Sequence, residues 1–277
     1  MTSQKQRYRL SWSLACWVRQ LRRVIPWKVL DRVIDRLSFA RSVYGPYLWI
    51  TPDDRTFELC ITGYGRFVSD AIAAQDRPFV FLDIGANLGL FSLVAAQNPL
   101  CRRVVAIEPL PAIFRNLAAN IRRNAARNVE PVLGAVAPSS DQFVHLSFNE
   151  RHSGMSKIVG ERPGAVSAPV LPAGKLDSLL PDVSKRIVAK IDVEGSELDV
   201  LATLRQTRFY PAIEEIIIEV SEVNLGIGGR RQLMAMLTED GYEELSRAGA
   251  DNHYDARYRR VPPAGWPVES TYREGGS

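Results

Sequence analysis

The chain has 277 residues, of which 46% are hydrophobic and 24% charged, a balance typical of one α/β domain with extensions. Three widely separated cysteines without a Cys-x-x-Cys motif argue against a disulfide framework or a zinc site. No apolar run approaches the ~20 residues that a membrane-spanning helix needs. We therefore expect a soluble, cytoplasmic protein without a transmembrane segment.

Residues 1–42 are predicted to form a basic helical N-terminal extension. Ten lysines or arginines and two aspartates give this segment a charge of +8, which leaves −4 for the rest of a chain whose total is +4. Apolar periodicity predicts a helix from about Leu14 to Leu37, interrupted at Pro26. We interpret the extension as a solvated cap on the domain. A weak peripheral contact with an anionic membrane surface is the alternative.

A domain is predicted over residues 43–260, and it begins with a hairpin. Residues 47–50 and 56–61 are rich in β-branched and aromatic residues, so we predict two strands there. The intervening residues 51–55 have the composition of a turn.

From Phe79 the pattern changes to alternating strands and helices, which predicts a mostly parallel sheet with helices on both faces. We place the core of this Rossmann-like fold at residues 79–244, with an insertion at about 138–175 and a flexible tail at 261–277. The predicted core strands are 79–82, 103–107, 132–136, 186–191 and 215–220, and two further strands, 143–148 and 166–171, are predicted inside the insertion. The predicted helices are 88–97, 111–124, one ending at 204, and 231–239.

The strongest local motif is the run from Asp83 to Gly89, which follows a buried strand and opens a helix. Glycines let the backbone turn sharply and approach a ligand, and the helix N-terminus offers free N–H donors. In the dinucleotide fingerprint G-x-G-x-x-G, the second glycine would stand at Asn87, and no glycine follows at the third position. The Asp83 carboxylate suits a cationic amino-acid moiety better than a pyrophosphate. The predicted cofactor-binding residues here are Asp83, Gly85, Ala86, Asn87 and Gly89, and the alternative is a tight turn that binds nothing.

Two further motifs follow predicted strands. Glu108-Pro109 ends the second strand, where an acidic side chain can accept hydrogen bonds from the ribose hydroxyls of an adenosine. Lys190, Asp192 and Glu194 lie at the carboxyl end of a later strand, at the edge where ligands bind in open α/β sheets. If the strand continues that far, alternation puts Asp192 and Glu194 on the same side. We predict these three as catalytic residues, with Asp192 the first choice of general base and Glu194 the second, although a salt-bridged strand end is the alternative. Glu219 adds another carboxylate, so Asp192 and Glu219 are the candidate ligands of any metal ion.

These motifs together resemble the FkbM family of methyltransferases. The resemblance rests on the run from Phe81 to Gly89, on Ala106 to Pro109 with Phe114, Leu117 and Asn120, and on Leu176-Asp177 followed by Lys190 to Glu197. It implies a class I methyltransferase fold, a seven-stranded sheet whose last strand is antiparallel, and O-methylation of a hydroxyl on a sugar or secondary metabolite. It also implies that Asp83, Gly85 and Gly89 line the methionine part of S-adenosylmethionine, and Glu108 its ribose. Residues 162–174 match nothing specific to the family, so the acceptor stays open.

Two other classes remain as alternatives. An NAD-dependent oxidoreductase is disfavoured by Asn87 and by the absence of a Tyr-x-x-x-Lys pair. An inactive scaffold is disfavoured because every expected cofactor-site position holds a chemically competent residue. A nucleic-acid substrate is ranked low, because the predicted catalytic region is acidic. His145, His152 and His253 have no metal-ligand spacing, and His152 is the one weighed as an active-site contact. Whether a divalent metal takes part is left open.

Overall fold

The computed structural model describes residues 8–16, 37–138, 142–182 and 185–261. Residues 8–16 are helical, and the greater part of the helix predicted over 14–37 lies outside the described residues. The first elements after it are β1 (Phe39–Arg41), β2 (Tyr47–Trp49), α1 (Arg55–Thr62) and α2 (Arg66–Ala73). The predicted tail lies outside the described residues from position 262 onwards.

Strands and helices alternate through the next part of the chain. It contains β3 (Phe79–Ile84), α3 (Leu90–Gln97), β4 (Cys101–Glu108), α4 (Pro111–Arg123), β5 (Val129–Leu133), β6 (Ala135–Val136), β7 (Phe143–Leu146), β8 (Ile158–Val159), β9 (Val166–Leu171) and α5 (Ala173–Leu179). The remaining elements are β10 (Ile187–Ile191), α6 (Glu197–Leu204), β11 (Ile213–Ser221), α7 (Glu222–Glu239), β12 (Tyr242–Ala250) and β13 (His253–Arg260).

Seven of these strands form one sheet in the order β12-β13-β11-β10-β3-β4-β5. The contacts from β5 to β11 are parallel, and β13 is antiparallel to both β11 and β12. The last strand of the described residues is therefore the antiparallel one, which confirms the Rossmann-like class I methyltransferase fold. In this topology the strand order reverses between β3 and β10, where open α/β sheets bind ligands.

Apolar side chains alternate between the two faces of the central strands, and each face is covered by its own core. Phe79 and Phe81 of β3 join one apolar cluster with Phe57 of α1. Val80 and Leu82 of the same strand join a second cluster on the other face. Because β3 and β10 are buried along their whole length, helices must cover both faces, as the continuous apolar runs predict.

The predicted hairpin at residues 47–61 is wrong. Strand β2 pairs with β1 instead, and residues 55–62 form helix α1. The side chain of Asp54 accepts a hydrogen bond from the Thr56 backbone N–H and caps this helix. Phe57, Cys60 and Ile61 are its buried residues, and their spacing is that of one helical face rather than of a strand.

The insertion is organised around a second sheet of four strands in the order β6-β9-β7-β8. Strand β9 has the predicted bounds, and β7 begins at the predicted residue. The third core strand, predicted as 132–136, is divided at Gly134 into β5 of the large sheet and β6 of the insertion sheet.

The core extends beyond the predicted limit at residue 244, because β12 and β13 continue the large sheet to Arg260. Helix α7 begins at Glu222 rather than Arg231, and its backbone breaks at Gly226, which has φ 71°. Within the described ranges, no helix combines the length and apolar character required to cross a bilayer.

Candidate functional site

A cavity of about 470 Å³ lies at the carboxyl ends of the central strands. This volume is within the range typical of small-molecule sites. The predicted residues Gly85, Ala86, Asn87, Glu108 and Pro109 line it, and so do Lys190, Asp192, Glu194 and Glu219. The fold therefore brings the three sequence motifs to one cavity.

The glycine-rich turn forms the floor of the cavity. The N–H groups of Gly85 and Ala86 both donate to the Ile107 carbonyl oxygen, at 3.1 and 2.9 Å, and hold the turn against β4. Gly85 has φ 79°, and a Cβ added there would lie 1.9 Å from the Asp192 carbonyl oxygen. Only glycine fits this close approach between the first and third motifs. Gly89 has φ 82° and directly precedes α3, as predicted.

Asp83 lies behind the turn and is fully buried. Its Oδ2 accepts a hydrogen bond from Ser92 Oγ at 2.6 Å, and its Oδ1 lies 3.3 Å from Lys190 Nζ. The Asp83 side chain does not line the cavity. Direct contact between this carboxylate and a cofactor therefore stays a prediction, and the observed contacts are those of an internal ion pair.

Glu108 ends β4 and holds the turn through both of its oxygens. Oε2 accepts from the Asn87 N–H and Oε1 from the Leu110 N–H, each at 2.9 Å. Burial raises the pKa of Glu108 to about 7, although these two hydrogen bonds act to lower it. A carboxylate oxygen has two lone pairs, so both oxygens can accept further hydrogen bonds from the cavity side. This pair of acceptor oxygens fits the two ribose hydroxyls of an adenosine.

Lys190 is buried between two carboxylates. Its ammonium lies 3.3 Å from Asp83 Oδ1 and 3.4 Å from Asp192 Oδ2, and it donates to the Gly85 carbonyl oxygen at 3.1 Å. Burial acts to lower the pKa of Lys190, but Asp192 and Asp83 outweigh it and raise the pKa above its ordinary value. The ammonium therefore stays charged and joins β3, β10 and the glycine-rich turn.

Asp192, Glu194 and Glu219 form a carboxylate cluster, with one oxygen of each within 4.8 Å of the others. Strand β10 ends before Asp192, so the predicted strand alternation does not bring Asp192 and Glu194 together. Glu194 instead has φ 55°, in the left-handed region. Its Oε2 accepts a hydrogen bond from Asn224 Nδ2 at 3.0 Å.

The pKa values of two cluster members are raised. Burial, with Asp192 next in size, raises the pKa of Glu194 to about 7. Burial, followed by Asp192 and Glu194, raises the pKa of Glu219 to about 9. Within the described part of the chain, Glu219 Oε2 is buried and has no hydrogen-bond partner.

Sequence reasoning missed the contribution of β13 to this site. His253 lines the cavity, and its Nε2 lies 3.4 Å from Glu219 Oε1. Asp255 lies opposite Glu219 in the β11–β13 register, and burial followed by Asp192 raises its pKa to about 6. His152 also lines the cavity, from the insertion, whereas His145 lies on the insertion sheet beside Ser167.

Comparisons with known proteins relate the chain to methyltransferases. The profile of the methyltransferase FkbM domain matches residues 83–246. Methyltransferase sdnD of Sordaria araneosa is 27% identical over 207 residues, which cover 63% of this chain and 77% of that protein. AMB antimetabolite synthetase AmbE of Pseudomonas aeruginosa is 28% identical over 208 residues, which cover 62% of this chain but 10% of that synthetase.

Solved structures resemble the chain more distantly. The tRNA m1G37 methyltransferase of M. jannaschii has a TM-score of 0.45 and 12% identity, with 81% of this chain and 57% of that chain covered. Precorrin-6y C5,15-methyltransferase of Geobacter metallireducens has a TM-score of 0.42 and 15% identity, with 71% of this chain and 86% of that chain covered.

The match over more than half of the chain, joined to the sheet topology, defines the class of enzyme. The chain belongs to the FkbM family and is an S-adenosylmethionine-dependent methyltransferase. This membership favours methyl transfer over the nicotinamide-dependent oxidoreductase considered from the sequence.

Proposed function

We propose that this enzyme is an O-methyltransferase that methylates a hydroxyl of a sugar, a glycan or a secondary metabolite. The observation that carries the proposal is the carboxylate cluster of Asp192, Glu194 and Glu219 beside the glycine-rich turn. S-adenosylmethionine supplies a methyl group already activated on a sulfonium. The protein must then align the acceptor hydroxyl and remove its proton.

Glu194 is the proposed general base. A base works best when its pKa lies near the working pH, and the pKa of Glu194 is raised to about 7. From the sequence Asp192 is the first choice of general base, but its Oδ2 lies 3.4 Å from the Lys190 ammonium. This ion pair holds the Asp192 side chain in a fixed position, so we assign Asp192 to orienting the acceptor. Lys190 is proposed to hold Asp192 in place rather than to transfer a proton.

The cofactor is proposed to lie along the glycine-rich turn, with its ribose at Glu108. Gly85, Ala86, Asn87 and Pro109 line the cavity around it, and Gly89 ends the turn next to α3. This placement leaves the carboxylate cluster on the far side of the turn for the acceptor. The acidic character of that side supports a neutral acceptor over an anionic one such as a nucleic acid.

The test is a calorimetric titration of the purified protein with S-adenosylmethionine, S-adenosylhomocysteine and NAD. Binding of the first two, followed by methyl transfer from labelled cofactor to a panel of sugars and hydroxylated metabolites, is the expected result. Methylation confined to amines or carbon atoms would contradict O-methylation while leaving the family assignment intact. Cofactor binding with no transfer to any panel member would favour the inactive-scaffold alternative.

A divalent metal ion at the cluster is the second candidate mechanism. Carboxylate oxygens are the ligands that Mg²⁺ and Mn²⁺ prefer, and the unpartnered, buried Glu219 Oε2 supports such a site. Asp192 and Glu219 would hold the ion, which would acidify a bound hydroxyl. Titration with Mn²⁺ tests this candidate: saturable binding that Glu219→Gln abolishes supports it, and equal weak binding by both proteins contradicts it.

The surroundings of the enzyme are also inferred. A reducing, cytoplasmic setting is supported by the free cysteines Cys16, Cys60 and Cys101 of the described residues. The domain boundaries at residues 42 and 260 and a weak membrane contact of the basic N-terminal extension remain proposals. Vesicle sedimentation with anionic lipid, compared between the full chain and a variant lacking residues 1–42, tests the last of these.

A further inference from the structure

Residues 54–56 precede the family match, and one of them belongs to the cavity wall. Thr56 lines the cavity together with Ser153 and Gly154 of the insertion. Backbone and side-chain contacts join the two segments: the Arg55 N–H donates to the Arg151 carbonyl oxygen at 2.8 Å, and the Gly154 N–H donates to Thr56 Oγ1 at 2.8 Å. The start of α1 therefore holds the insertion at a defined position.

Asp54 is the centre of this junction. It is buried, and besides capping α1 its Oδ1 accepts a hydrogen bond from the Ser153 N–H at 3.1 Å. Its Oδ2 accepts from Ser153 Oγ at 2.8 Å. Hydrogen bonds to an ionised carboxylate are stronger than those between neutral groups. Two such bonds to one residue fix both the backbone and the side chain of Ser153.

Ser153 in turn faces the glycine-rich turn. Its Oγ lies 3.4 Å from Asn87 Oδ1, and its single hydroxyl hydrogen is best placed towards the nearer Asp54. Asn87 has φ 49°, and its N–H donates to Glu108 Oε2. The approach of Ser153 to Asn87 is therefore a packing contact, and it places the Asp54–Ser153 pair beside the residue whose N–H is bonded to Glu108, the carboxylate to which we assign the ribose.

We propose that Asp54 and Ser153 are positioning residues for the cofactor, which fix the insertion against Asn87 and so hold the adenosine side of the cavity in shape. The proposal rests on the cofactor placement given under the proposed function. Loss of either side chain should therefore weaken binding of the adenosine part of the cofactor.

The experiment compares Ser153→Ala and Asp54→Asn with the wild type. Ser167→Ala is the matched control, because Ser167 lies in the same insertion but is exposed on β9. Calorimetry with S-adenosylhomocysteine and with 5′-methylthioadenosine, which lacks the amino-acid part, is run well below each melting temperature. We expect both test variants to lose about 10-fold in affinity for both ligands, which is about 1.4 kcal/mol, and the control to stay within about twofold.

A double variant adds a readout that a purely structural role would not move. Because both residues act through one junction, Ser153→Ala in the Asp54→Asn background should cause little further loss of affinity. A lower melting temperature with unchanged affinities would overturn the proposal and leave the proposed function standing. Loss of S-adenosylhomocysteine binding alone would overturn the assignment to the adenosine side. Failure of the wild type to bind either ligand would overturn the cofactor placement and this proposal together.

Discussion

Glu108→Gln should weaken cofactor binding strongly while the sheet remains folded. Both Glu108 oxygens accept backbone N–H groups, from Asn87 and Leu110. A glutamine has one carbonyl oxygen and one NH₂ group, so one of these two N–H groups would face a donor instead of an acceptor. The turn would be distorted, and the charge that attracts the ribose hydroxyls would be lost.

The size of the effect follows from the hydrogen bonds involved. A hydrogen bond to a charged group contributes about 1.5–3 kcal/mol. Loss of one such interaction with the ligand corresponds to roughly 10- to 100-fold weaker binding. The ionised form of Glu108 is the better acceptor, and its pKa is raised to about 7. Wild-type affinity should therefore rise as the pH increases from 6 to 8, and the Glu108→Gln variant should lose this dependence.

Calorimetric titration with S-adenosylhomocysteine at pH 6, 7 and 8 measures both effects. Glu130→Gln is the matched control, because Glu130 lies on the adjacent strand β5 and pairs with Arg103 away from the cavity lining. Unchanged affinity of Glu108→Gln, or a pH dependence that the variant retains, would refute the assignment of Glu108 to the cofactor.

Three further predictions follow from the same geometry. Asp192→Asn and Glu194→Gln should each reduce turnover of an identified acceptor by about 100- to 10,000-fold, while the affinity for S-adenosylhomocysteine stays near the wild-type value. A wild-type rate in either variant would remove that residue from the mechanism. The pKa of Glu219 is raised from 4.5 to about 9, so the contribution of Glu219 to stability is lost as the pH rises through that range. Glu219→Gln should therefore gain thermal stability relative to the wild type at pH 9 but not at pH 4. An equal difference in melting temperature at both pH values would contradict this. Gly85→Ala should lower the free energy of unfolding by about 2 kcal/mol or more, because a side chain at positive φ is strained and its Cβ would meet the Asp192 carbonyl oxygen. Urea denaturation measures this free energy, and a wild-type value for the variant would argue against the described turn.

The sequence predicted the central strands because their residues are apolar on both faces. β3 and β10 are continuous apolar runs, and only a sheet covered on both sides buries such runs completely. Residues 56–61 were misread as a strand because Thr-Phe-Glu-Leu-Cys-Ile alternates in polarity and also fits one helical face. The capping contact of Asp54 decides between the two, and it depends on the backbone conformation rather than on composition.

The resemblance implies seven strands with an antiparallel last one, but the residues of β12 and β13 were not predicted. Most residues of β12 after Tyr242 are exposed, and the strand is held by pairing with β13 rather than by an apolar run. An edge strand such as β12 gives a weak sequence signal. The contributions of His253 and Asp255 to the site could not be predicted without them.

The candidate site was predicted in its motifs but not in its pairings. The carboxyl ends of parallel strands meet at one edge, so the positions of Glu108 and Asp192 followed from the strand assignments. The ion pair between Lys190 and Asp83 depends on the register of β10 against β3, in which these two residues stand opposite each other. Sequence spacing does not specify the register between strands that are far apart in the chain.

The most direct test of the account is a crystal structure of the enzyme with bound S-adenosylhomocysteine. We predict a ligand in the cavity at the carboxyl ends of β3, β4 and β10, with its ribose hydroxyls hydrogen-bonded to Glu108 and its sulfur facing the cluster of Asp192 and Glu194. A ligand that binds elsewhere, or one whose ribose makes no contact with Glu108, would contradict the site described for this methyltransferase.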